Sequence, residues 1–150
     1  MQTSSKHKQS TDILIVDDDP SLQVLISEIL KLEGYTFDIA KTGKEAFKFA
    51  MNNNYKLILM DIKMPEWDGL TAIRSLDFVQ EIQKIIVVSA YLDTAILQEL
   101  SKEPLVVGWL EKPFDPSYLI EMVENVIPKN KQELKYGCGK KRKKEKRSRT

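Results

Sequence analysis

Four short apolar runs in this 150-residue chain each end on a polar residue that can do chemistry. Ile13-Leu14-Ile15-Val16 ends on Asp17-Asp18, and Leu57-Ile58-Leu59-Met60 ends on Asp61. Ile85-Ile86-Val87-Val88 ends on Ser89, and the run from Leu105 to Leu110 leads to Lys112-Pro113. Three carboxylates gathered on one rim repel each other unless a cation compensates them. A hard divalent ion does so, and Mg²⁺ typically takes one or two carboxylates with waters and phosphate oxygens. A carboxylate can also attack phosphorus and carry the phosphoryl group itself. The charge on the transferred group then needs cations, which Mg²⁺ and the Lys112 ammonium supply. The Ser89 hydroxyl offers a small hydrogen-bond donor.

For these residues to meet, the runs must be strands of one sheet. The runs are continuous rather than alternating, which suits strands buried on both faces. Helical spacing fills the intervals. Pro20 opens a helix through Leu22, Leu25, Ile26, Ile29 and Leu30 that Gly34 stops. Thr36 to Ala40 reads as a strand, and Thr42 caps a helix through Ala46 and Ala50 that ends in an Asn52-Asn53-Asn54 turn. Further helices are expected around Leu70 to Leu76, from Asp93 to Leu100, and from Asp115 to Val126 before Pro128. Gly108 interrupts the fifth strand. Five βα units in a row imply an α/β fold, a parallel sheet with helices on both faces. Such sheets bind ligands outside the carboxyl ends of their strands, where the strand order reverses.

The length suits one domain, and 42% hydrophobic with 30% charged residues is globular rather than fibrous or disordered composition. No apolar run approaches the roughly 20 residues that span a bilayer. The N-terminus lacks the apolar stretch of a secretory signal, and a lone Cys138 has no internal disulfide partner. A cytoplasmic location is expected. The net charge of +1 hides an asymmetry: residues 129–150 hold eleven Lys/Arg against two acids, or +9, which leaves −8 on residues 1–128. The expected organisation is a flexible polar arm over 1–11, a folded body over 12–128 and a disordered basic tail over 129–150. No helix-turn-helix or catalytic pattern follows Pro128, which suggests a stand-alone module that acts by binding a partner. The run Lys140 to Lys144 hints only weakly at nucleic acid or anionic membrane, since charge runs are usually just solvated.

The stretches ILIVDDDP, LILMDIKMPEWDG, IIVVSA and GWLEKPF resemble, in order and separation, the four signature blocks of bacterial response-regulator receivers. The chain resembles the single-domain chemotaxis and sporulation type, and the resemblance runs from Asp12 to Val126. It implies a flavodoxin-like (βα)5 sheet in strand order 2-1-3-4-5. It implies that Asp61 is the phosphoacceptor of a two-component phosphorelay. Asp17, Asp18, Asp61 and the backbone carbonyl of Lys63 would hold Mg²⁺, with Mn²⁺ as a substitute. Lys112 matches the phosphate-binding lysine, Ser89 the switch hydroxyl and Pro113 a cis-proline. Trp109 stands where the family usually has a switching Tyr or Phe. The implied phosphodonor is a sensor histidine kinase or a histidine phosphotransfer protein. The implied output is a downstream protein docking on the fourth helix, fifth strand and fifth helix, with a homodimer as a further option. On this reading the chain is no turnover enzyme and catalyses only its own phosphorylation and slow dephosphorylation. Ser101-Lys102-Glu103-Pro104 departs from the Gly-Ala turn of many receivers.

Other readings compete. Asp17-x-Asp19 formally fits the D-x-D nucleophile of haloacid-dehalogenase-type phosphohydrolases, but Pro20 is out of place there and Asp61 is left unexplained. Asp19 alone suits a helix-capping acid, Asp61 alone an Asx turn, and Trp109 alone a core residue. His7 reads as surface. Lys63 and Tyr91, each two residues beyond Asp61 and Ser89, would border a phosphoryl group and crowd attacking water.

Overall fold

The computed structural model describes residues 9–63, 69–79 and 84–129. Five strands and five helices alternate along them: β1 (Gln9–Val16), α1 (Pro20–Leu32), β2 (Phe37–Ala40), α2 (Gly43–Asn52), β3 (Asn53–Met60), α3 (Gly69–Val79), β4 (Lys84–Ser89), α4 (Thr94–Ser101), β5 (Val106–Glu111) and α5 (Pro116–Val126). The strands form one parallel sheet in the order β2-β1-β3-β4-β5, as the family resemblance implies.

The continuous apolar runs are buried on both faces. Ile13, Ile15, Leu57 and Leu59 pack with Ile26 and Leu119 on the side of α1 and α5. Leu14, Val16, Ile58 and Met60 pack with Ala72 and Leu100 on the side of α2, α3 and α4. Each such Ile or Leu, fully removed from water, contributes about 1.5–3 kcal/mol. The two cores therefore fix the strand ends on which the site depends. Among the described residues no helix is long and apolar enough to cross a membrane.

Local chemistry sets the helix starts. Asp19, Thr42, Asp93 and Asp115 each accept a backbone N–H of the first turn, and Pro20 and Pro116 stand at first positions where no N–H is needed. Gly34 adopts φ +84° and turns the chain after α1, a conformation open to glycine.

Several expectations need correction. β1 starts at Gln9 instead of Ile13, because residues 9–11 pair with 53–55 of β3; the polar side chains there hid a strand whose backbone does the pairing. No Asn turn separates α2 from β3, since Asn53 is at once the helix cap and the first strand residue. Trp109 is not core: it keeps 39% of its surface exposed on the edge strand. β5 also carries an irregularity, its pairing with β4 passing from Ile85↔Val106 to Ile86↔Gly108, so Val107 is bulged out. Gly108 lies against α5, where a Cβ would stand 2.9 Å from the mobile Met122 Cε and displace that side chain.

Candidate functional site

The strand order reverses between β1 and β3, so a crevice opens at their carboxyl ends. Asp17 directly follows β1 and Asp61 directly follows β3. The Asp61 N–H donates to the Val16 carbonyl at 2.9 Å, which ties the two strand ends together. Both acids are buried, at 2% and 8% exposure, whereas Asp18 is exposed. Carboxylate oxygens of Asp17, Asp18 and Asp61 all lie within 4.8 Å of one another.

Lys112 enters this cluster from the end of β5. Its N–H donates to the Ser89 carbonyl at 3.0 Å, and its Nζ donates to Asp17 Oδ2 at 2.7 Å and Asp61 Oδ2 at 3.2 Å. The remaining carboxylate oxygens are held by backbone: Asp17 Oδ1 accepts from Asp19 N and Asp61 Oδ1 from Lys63 N, at 2.9 and 3.0 Å. Burial pushes the Asp17 carboxyl above its ordinary range, and hydrogen bonds from Lys112 and Asp19 only partly offset it. Burial alone would lower the Lys112 pKa, but its hydrogen bond to Asp17 and the charges of Asp17 and Asp61 outweigh that and raise it. The site is thus short of positive charge. Its donors are all oxygen, which fits a hard divalent cation such as Mg²⁺.

Ser89 is fully buried at the end of β4, and its Oγ accepts from Tyr91 N at 3.1 Å. Trp109 pairs in register with Val87, two residues before Ser89, so Ser89 and Trp109 share one face of the sheet. The Lys112-Pro113 bond is cis. Lys63 is the last described residue of its loop; residues 64–68, with Trp67, lie outside the described residues, as do His7 and Cys138.

Asp19 does not join the cluster. Its carboxylate accepts from Ser21 N at 2.9 Å and caps α1, which removes the second acid of the D-x-D reading. Sequence reasoning missed Gln23, whose Nε2 donates to the Asp17 carbonyl at 2.7 Å and holds the acid-bearing turn against α1. A glutamine on an otherwise amphipathic helix gives no signal of that duty. It also missed Lys129, assigned to the tail on charge alone, whose Nζ pairs with Glu33 beyond α1 and with Glu124 of α5.

Residues 13–124 match the response regulator receiver domain family. Over 116 residues the chain is 31% identical to the sporulation initiation phosphotransferase F of Bacillus subtilis, covering 77% of this chain and 93% of that protein. Among solved structures it is similar to the response regulator TrrA of Thermotoga maritima in complex with Mg²⁺ and BeF, at 33% identity and a TM-score of 0.69 over 79% of this chain and 98% of that one. It is also similar to the receiver domain of a Pseudomonas aeruginosa sensor histidine kinase with magnesium coordinated in its active-site cleft, at 28% identity and a TM-score of 0.71 over 80% and 99%. The chain spans about half the length of several transcriptional regulators that it also matches, 49% and 48% of two of them. The fold, the acid cluster at its switch point and these likenesses agree: the chain belongs to the response-regulator receiver domain family of two-component systems.

Proposed function

We propose that Asp61 is the phosphoacceptor of a Mg²⁺-dependent phosphorylation switch. The observation that carries this reading is the Lys112 ammonium, held between Asp17 and Asp61 inside a cluster of three carboxylates. Asp17, Asp18, Asp61 and the Lys63 carbonyl would hold the metal, with Mn²⁺ as a substitute. Bound there, the cation supplies positive charge to the phosphoryl oxygens and relieves the repulsion among the acids.

The chain's own residues do the rest. An Asp61 carboxylate oxygen forms a bond to phosphorus as the donor's bond to the same phosphorus breaks, and the pair from that bond leaves with the donor. Lys63 N and Lys112 orient the Asp61 carboxylate beforehand. Lys112 then follows the charge onto the phosphoryl group, and the Ser89 hydroxyl, which already accepts from Tyr91 N, is free to turn its proton to a phosphoryl oxygen. Movement of Ser89 would open space on the face it shares with Trp109, drawing in a ring that now stands partly in water. The surface of α4, β5 and α5 would change with it, and there a downstream protein would read the state. A sensor histidine kinase or a histidine phosphotransfer protein would be the natural donor, and a cytoplasmic location would suit the role. Binding of the basic tail to polyanions, and a homodimer, stay secondary to this reading.

The test is to phosphorylate the chain with acetyl phosphate and Mg²⁺, trap the acyl phosphate with borohydride and map the product. Reduction at residue 61 is expected. Reduction elsewhere, or sustained hydrolysis of an aryl phosphate, would favour a phosphohydrolase.

A further inference from the structure

The face opposite α2–α4 carries a feature that phosphoryl chemistry does not use. Between α1 and α5 runs an open groove of about 610 Å³. Two of its lining residues are among the most exposed large apolar side chains described, Leu32 at 86% and Tyr118 at 61%. An occupant of the groove would cover both of these apolar groups. Acids rim it: Glu33, Glu121 and Glu124.

The chain itself leads into this groove. The Tyr35 hydroxyl donates to the Ile127 carbonyl at 3.1 Å and fixes the exit of α5. Two residues later Lys129 pairs with Glu33 and with Glu124, at 3.3 Å for the latter, and so sits at one end of the groove between the two helices. The sequence that follows is Asn130-Lys131-Gln132-Glu133-Leu134-Lys135-Tyr136. Along α5 the groove runs from Glu124 back to Pro116, eight residues, or about 12 Å at the helical rise. The five residue steps from Lys129 to Leu134 reach up to about 17 Å when extended, enough to traverse it. In an extended chain Leu134 and Tyr136 project to the same side, and Lys131, Glu133 and Lys135 to the other, where the two lysines outnumber the one acid. One side thus offers apolar groups to the far half of the groove, at Tyr118 and Ile120, and the lysines lie near the acidic rim, where Glu121 has no ion pair among the described residues.

We propose that the groove between α1 and α5 is the docking site of the chain's own segment 130–136, with Lys129 as its anchor and Leu134 and Tyr136 as its apolar contacts. The basic run from Lys140 onward would then leave past the start of α5, on the side of the sheet that carries the acid cluster.

Cys138 is the chain's single cysteine, so a nitroxide can be attached there on the full-length protein without other changes. Amide signals of Ser117, Ile120 and Glu121 should lose more than half their intensity relative to the reduced, diamagnetic label. Replacing Leu32 and Tyr118 together by Ser should restore most of it, and the exposure of both residues keeps the core out of the experiment. Broadening spread evenly over the surface, or an unchanged pattern in the double variant, would overturn the proposal. So would broadening that appears only when labelled chain is mixed with isotope-labelled, nitroxide-free chain, since the occupant would then be a second copy.

Discussion

The Lys63 ammonium lies 4.6 Å from the centroid of the Tyr91 ring, joining the loop after β3 to the loop after β4 beside Asp61. Both side chains are exposed, so the contact carries about 0.5–1 kcal/mol. That corresponds to a pair formed about two to five times more often than not.

Replacing Lys63 and Tyr91 together by Ala should therefore speed loss of the phosphoryl group by a similar factor, about two- to fivefold. The decay of phosphorylated protein after removal of donor measures this. An unchanged or slower decay would mean that the pair does not shield the site from water.

Lys112 compensates two buried acids, so Lys112→Met should destabilise the metal-free protein. Breaking a fully buried ion pair costs roughly 3–5 kcal/mol; here 15% of the lysine side chain remains in water, and about 2 kcal/mol is expected. Mg²⁺ should raise the melting temperature of the variant more than that of the parent chain, because more uncompensated charge awaits it. Urea and thermal melts with and without Mg²⁺ decide. Equal stability of the two chains without metal would show that the acids are compensated some other way.

Ser89 and Trp109 share a sheet face, and Trp109 stands partly in water. In a Trp67→Phe background, phosphorylation should shift Trp109 emission to the blue as the ring moves inward. Adding Ser89→Ala should abolish the shift. Unaltered emission in protein confirmed as phosphorylated would place the output elsewhere.

Tyr35→Phe removes the hydrogen bond to the Ile127 carbonyl, a loss of about 1 kcal/mol. Burial, reinforced by Glu124, raises the Tyr35 pKa above 10.0. A raised folded-state value means that the neutral hydroxyl's contribution is full below the unfolded pKa and is lost only as pH rises through the folded one. The stability difference should be the same at about pH 6 and about pH 9, below tyrosine ionisation. A difference that changes between them would assign the effect to another group.

Where chemistry is written in residue type, the sequence is readable. Continuous apolar runs ending on Asp17, Asp61, Ser89 and Lys112 announced both the parallel sheet and the rim that gathers these side chains. Caps such as Asp19 and Thr42 were legible because short polar side chains accept first-turn N–H groups wherever a helix begins. Backbone pairing is different, since any residue can do it, and residues 9–11 joined β1 under polar side chains. Trp109 misled because composition favours burial of tryptophan, whereas an edge strand leaves one flank open. Gln23 reaches back to the backbone carbonyl of Asp17 and Lys129 reaches Glu33, 96 residues away, and apolar periodicity holds no record of either contact.

The most direct test of the account is intact mass after incubation with acetyl phosphate and Mg²⁺, for the parent chain and for Asp61→Asn. One added phosphoryl group, stable in acid and labile in base, is expected on the parent chain alone and only with the metal present. An unmodified parent chain, or an Asp61→Asn chain labelled equally well, would contradict it.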